Sequence, residues 1–102
     1  FDYLSKNDLT IDSFNSFNLN YDSEIAQVSL ESLKESIANI NLDNVDGLFV
    51  SCTALKIVDI LDEVEKKFNT TVISSNQAII WDCLQLLDMN IKVPGYGKLF
   101  NN

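Results

Sequence analysis

The sequence predicts an α/β fold, a three-layer sandwich in which a short parallel sheet carries helices on its faces. Three observations point there. Short β-rich runs alternate along the chain with longer stretches of helical apolar spacing, the order that right-handed βαβ crossovers produce. The run Gly47-Leu48-Phe49-Val50-Ser51 is apolar without alternation, as in a parallel strand covered on both faces. A length of 102 residues with 46% hydrophobic content suits one packed domain and is too short for two. No internal repeat, low-complexity tract or linker interrupts it.

Taken in order, Phe1-Asp2-Tyr3-Leu4 starts in the middle of an amphipathic pattern, without an initiator Met or a cap. It is expected to be the tail of a helix that begins elsewhere, which makes the sequence a piece of something longer. Leu9 to Leu19 mixes Leu9, Ile11, Phe14 and Phe17 with Ser, Thr and Asn and is read as a strand, although the spacing breaks near Asn15. Residues 20–29 carry turn and cap formers and are read as a loop. Ser29 is a fitting N-cap for a helix to Ile40, with Leu30, Leu33, Ile37 and Ile40 on one face. A turn over 41–46 leads into the strand 47–51. After Cys52-Thr53, the residues Ala54, Ile57, Val58, Leu61, Val64 and Phe68 define a second amphipathic helix. On its wet side Asp62 with Lys66 and Glu63 with Lys67 are i,i+4 pairs, and the acidic run 59–65 is read as a solvated face. Asn69-Thr70 turns into the strand 71–74. Ser75 or Asn76 is expected to cap a last helix to about Met89, apolar round most of its circumference and so buried on two sides. Residues 94–100 form a turn-rich tail, with the glycines of Gly95-Tyr96-Gly97 as a backbone requirement.

Composition narrows the chemistry. The formal net charge is -8, with seven Lys, no Arg and no His. Neutralising phosphates needs clustered Lys or Arg, so a nucleic-acid partner is not expected. Without His the commonest general base and metal ligand are missing, and acid–base work near neutrality falls to Cys, Lys, Tyr or a perturbed carboxylate. The two cysteines, Cys52 and Cys83, form neither a Cys-x-x-Cys unit nor a disulfide framework. No apolar run reaches the length of a membrane span and no cleavable signal is visible. The expectation is a cytoplasmic chain with free thiols, no membrane partner and no bound metal.

Ligands of open α/β sheets bind outside the carboxyl ends of the strands. Two such ends are visible, Ser51-Cys52-Thr53 and Ser74-Ser75-Asn76-Gln77, each read as lying directly before a helix. Both set hydroxyl or amide groups beside unpaired helical N–H donors, where a carboxylate or phosphate is at home. The dipole of the helix expected after Cys52 would favour its thiolate. Plainer readings stand beside these: a small Cys that only packs, and a Ser-Ser-Asn cluster that only caps. Cys83 inside a helix and Trp81 beside it are read as structural.

The segment Asp46-Gly47-Leu48-Phe49-Val50-Ser51-Cys52-Thr53-Ala54-Leu55 resembles the second cysteine motif of the aspartate/glutamate racemase superfamily. Within it the nearest likeness is to the maleate cis-trans isomerase and arylmalonate decarboxylase branch. Val72-Ile73-Ser74-Ser75-Asn76-Gln77-Ala78, Trp81-Asp82 and Gly95-Tyr96-Gly97-Lys98-Leu99 follow in the branch's order, and Ile25-Ala26-Gln27-Val28-Ser29 resembles the lead-in. The resemblance implies a two-lobed racemase-like fold, with residues 1–102 as the C-terminal lobe and the N-terminal lobe absent. It implies a cofactor-independent isomerase or racemase of a small carboxylate or dicarboxylate. Cys52 would transfer the proton, and Thr53, Ser51, Ser75 and Asn76 would bind substrate. This piece alone would be inactive, and a homo-oligomer is left open. A decarboxylase of the arylmalonate type, or a non-catalytic module binding an anion or a protein, is the alternative. Two departures from the pattern are Ala54, where the branch often has Asn, and Lys56 and Lys98, where it has Arg. Lys keeps the charge without the bidentate clamp.

Overall fold

The parallel sheet has two strands, β1 (Leu48–Val50) and β2 (Val72–Ser74), paired Leu48 with Val72, Phe49 with Ile73 and Val50 with Ser74. This is a computed structural model; it describes residues 2–101, with the side chain of Asp22 left aside. Five α-helices accompany the sheet among the described residues: α1 (Asp2–Ser5), α2 (Asp22–Ile25), α3 (Leu30–Ala38), α4 (Leu61–Phe68) and α5 (Ser75–Leu86). Short 3₁₀ turns over Ile57–Ile60 and Lys98–Asn101 complete it. The α/β class and the short parallel sheet are as the sequence predicts. The helical start falls on α1, and Phe1 lies outside the described residues.

One apolar cluster holds these elements together. Leu33 and Ile37 of α3, Ile57 and Ile60 of the 3₁₀ turn, Leu61 and Val64 of α4, and Val72 of β2 are all buried. Leu48 and Val50 reach it from β1. Alternation along the strand then sends Phe49 to the other face, where it is 59% exposed. Full burial of one such aliphatic side chain stabilises by about 1.5–3 kcal/mol, so the interior residues of α3 and α4 anchor the βαβ unit.

Several expectations change. Residues 9–19 form no strand; every one of them is exposed. Without a period-2 face to bury, the segment satisfies its backbone locally, with Ser16 N–H donating to Asn15 Oδ1 and Asn18 N–H to Ser16 Oγ. It is tied down through Ser13 Oγ to Asn41 O and Asn15 Nδ2 to Ser36 Oγ. The expected loop over 20–29 contains the single turn α2. The helix expected from Ala54 is delayed: residues 53–55 are turn and bend, a 3₁₀ turn follows from Ile57, and α-helix starts only at Leu61.

The N-cap of α5 is Ser74, not Ser75 or Asn76. Its Oγ accepts from Gln77 N–H at 3.2 Å while Gln77 Oε1 accepts from Ser74 N–H at 2.8 Å, a reciprocal capping box. The helix stops at Leu86 because Asp88 turns left-handed, φ 54°, and Met89 N–H closes back on Leu84 O. It is not buried on two sides: Ile79, Ile80 and Leu86 are each more than half exposed.

Nor is the acidic run merely solvated. Glu65 is buried, with Oε1 accepting from Val72 N–H and both oxygens accepting from Lys98 N–H, while Asp62 Oδ1 accepts from Gly97 N–H. Glu63 turns to Lys34 of α3 at 2.9 Å rather than to Lys67.

Candidate active site around Cys52

The strand register builds the site. Val50 is level with Ser74, so the parallel strands end together and residues 51–53 meet the first turn of α5. Cys52 N–H donates to Ser75 Oγ at 3.0 Å, and Asn76 Nδ2 donates to Thr53 O at 3.0 Å. Leu55 N–H closes a turn onto Cys52 O at 3.3 Å, and the buried Leu55 side chain pins that turn to the core. The structure thus brings Cys52, Thr53, Ser75 and Asn76 into one cluster. Ser51, exposed, stands at its edge between β1 and Cys52.

Cys52 carries φ 111°, a left-handed value rare for a residue with a Cβ. Its thiol is free and half-buried, while Cys83 on α5 is free and exposed. The helix beside Cys52 is α5, not one that follows it directly in sequence. The positive end of the α5 dipole therefore replaces the one expected from residues 54–68. With Cys52 N–H spent on Ser75, the backbone donors left on this loop include Thr53 N–H and Ala54 N–H, which nothing among the described residues accepts. Two adjacent free N–H groups next to a hydroxyl and a thiol can take a carboxylate and move a proton beside it.

Around this cluster lies a support that sequence reasoning passed over. Gln77 is 1% exposed and uses both ends of its amide, Oε1 on Ser74 N–H and Nε2 on Tyr96 O at 2.7 Å. Its signal was available, since Ser74 and Gln77 stand three apart as a capping box requires. Glu65 also had one: it falls four residues after Leu61, on the buried stripe of α4. Gly97 sits at φ 90°, and a Cβ there would come within 3.0 Å of Gln77 Nε2 and 3.2 Å of Glu65 Oε1. A groove of about 440 Å³ lined by Asp62, Glu65, Lys66 and Lys98 among others does not include Cys52. Among the described residues no group of three or more His, Cys, Asp or Glu is placed to hold a metal ion, and no helix is long and apolar enough to cross a membrane.

Residues 1–100 match the family model of arylmalonate decarboxylase. The chain is 40% identical over 57 residues to an arylmalonate decarboxylase of Bordetella bronchiseptica, covering 55% of this chain and 24% of that protein. It is 26% identical over 98 residues to a maleate isomerase of Nocardia farcinica, covering 95% of this chain and 39% of that one. A crystal structure of a maleate isomerase from Pseudomonas putida S16 superposes with a TM-score of 0.90 at 26% identity, over 97% of this chain and 40% of that one. The chain matches between about a quarter and two fifths of the length of these curated relatives.

Proposed function

The chain belongs to the arylmalonate decarboxylase family, and from that premise we propose that it is the C-terminal lobe of a cofactor-independent enzyme acting on a small carboxylate or dicarboxylate. Its curated relatives are enzymes, a decarboxylase and an isomerase. The observation that carries the reading is the Cys52 loop: a half-buried free thiol beside two uncommitted backbone donors, Thr53 N–H and Ala54 N–H.

The chemistry follows from that arrangement. A carbon next to a carboxylate loses a proton only if the charge that builds on the carboxylate oxygens is met by fixed donors. Thr53 N–H and Ala54 N–H hold those oxygens, and Cys52 takes the proton as thiolate or returns it as thiol. Racemisation requires two acid–base groups on opposite faces of the substrate, of which Cys52 supplies one. In cis–trans isomerisation of an alkene diacid, a nucleophile adds to one alkene carbon while Cys52 protonates the other; the resulting single bond rotates, and the reverse elimination returns proton and nucleophile. Ser75 and Asn76 hold the loop and wall the site.

The 40% identity over 57 residues to a decarboxylase supports a second reading. There the substrate's own C–C bond breaks, CO₂ leaves, the remaining pair rests on the carboxylate held by the loop, and the Cys52 thiol protonates the carbon. The thiolate then recovers a proton from solvent.

The test is turnover of maleate and of an arylmalonate by the full-length protein. Cys52→Ala is expected to abolish it and Cys83→Ala to leave it intact. Equal activity of Cys52→Ala and wild type would overturn both readings.

A further inference from the structure

We infer that Gln77 is a positioning residue for Cys52, acting through a clamp that joins the C-terminal tail to the site. The inference rests on the reactive-thiol reading and extends it to residues remote from the thiol.

The path is continuous. Cys52 is held at an unfavourable φ of 111°, and its N–H is anchored by Ser75 Oγ. Conformations of this kind persist only where the surroundings over-determine them. Ser75 is the first residue of α5, so its place is set by the junction between β2 and α5. That junction is gripped from two sides: Val72 N–H by Glu65 Oε1, Ser74 N–H by Gln77 Oε1. Gln77 then reaches with Nε2 to Tyr96 O, and the next two residues of the tail are held by Asp62 and Glu65.

Every polar end of Gln77 is therefore committed in a nearly water-free place, where losing one partner costs most. The tail residues 96–98 complete a ring that starts at α4, passes through β2 and Gln77, and returns to α4. Gly97 belongs to the ring because a Cβ at that point would press on Gln77 Nε2 at 3.0 Å and on Glu65 Oε1 at 3.2 Å.

The test reads Cys52 against Cys83 in one molecule, by iodoacetamide labelling and mass spectrometry of the full-length protein. Gln77→Glu keeps an acceptor for Ser74 N–H but loses the donor to Tyr96 O. Gly97→Ala disturbs the same contact from the tail side. Each variant is labelled well below its own melting temperature. The Cys52 to Cys83 rate ratio is expected to fall about tenfold, within the roughly hundredfold that a 1 Å misplacement can cost, while the Cys83 rate itself stays. A purely structural Gln77 would lower the melting temperature and leave the rate ratio unchanged, and that result in either variant overturns the inference. If wild-type Cys52 reacts no faster than Cys83, the reactive-thiol reading falls and the inference with it. A wild type with a privileged Cys52 and unchanged variants removes the inference alone.

Discussion

At Cys52 the side chain chosen for chemistry sits on a backbone suited to glycine. Holding a residue with a Cβ at such a φ costs about 1–3 kcal/mol, against a φ of 111° here. Two substitutions separate thiol from strain. Cys52→Ala and Cys52→Gly both delete the sulfur, but only Gly relieves the backbone. The Gly variant is expected to be more stable than the Ala variant by about 1 kcal/mol, after allowing for the greater unfolded-state entropy of Gly. Urea denaturation of the two proteins checks it, and an Ala variant equal to or above Gly would show that the turn is unstrained. Neither variant is expected to turn over substrate. The meeting of Cys52 with Ser75 was legible in the sequence, because both follow runs that read as parallel strands. The positive φ was not. Cysteine has no preference for it, and only the turn closed by Leu55 and the hydrogen bond that Cys52 N–H donates to Ser75 impose it.

Elements were legible where period and cap agreed. Ser29 accepts from Ser32 N–H as the N-cap of α3, with Leu33 and Ile37 buried behind it. The same spacing misled between Ala54 and Leu61, because Leu55, Ile57 and Ile60 reach the core from a turn and a 3₁₀ segment. It misled at 9–19 because the apolar residues there build no buried face. The α5 start makes a test of its own: Ser74 is 1% exposed and caps Gln77. Ser74→Ala removes the cap, and a loss of about 1–2 kcal/mol is expected in urea denaturation. A loss below the scatter of the measurement would mean that Gln77 alone holds the junction. Between α3 and α4 the tie is electrostatic. The hydrogen bond that Lys34 donates to Glu63 raises the pKa of its ammonium above the ordinary 10.5, with desolvation opposing and the charges of Glu63 and Glu31 adding. A group whose folded-state value is raised stabilises fully below its unfolded value and stops doing so as pH climbs through the folded one. Any stability difference between wild type and Glu63→Gln is therefore expected at neutral pH and should vanish above the Lys34 value. An exposed pair of this kind contributes little, and a difference that persists in strong alkali would assign it to packing instead.

On the scale of the whole molecule, a two-stranded parallel sheet with the core on one face leaves its outer edges unpaired by any other strand among the described residues. Phe49 is 59% exposed, Ile79 55% and Ile80 54%, while Leu86 and Leu87 at the end of α5 reach 80% and 68%. The α/β class and the family were legible from motif order. The exposure was not, because α5 is apolar enough to have been read as buried on both sides. Open edges and bare apolar side chains are an invitation to pair with another chain. Residues 1–102 produced on their own are therefore expected to bind a hydrophobic dye and to associate on size-exclusion chromatography as concentration rises. The apolar character of these side chains is the cause in this account, so Phe49→Thr combined with Ile80→Gln should reduce both signals. The same pair should leave the unfolding midpoint close to that of the parent, because neither side chain belongs to the buried cluster of α3, α4 and β2. If the double variant associates as strongly as the parent, the open backbone edges of β1 and β2 are the sticky feature. A parent that stays monomeric and dye-free would instead show that 102 residues tolerate this exposed face in water.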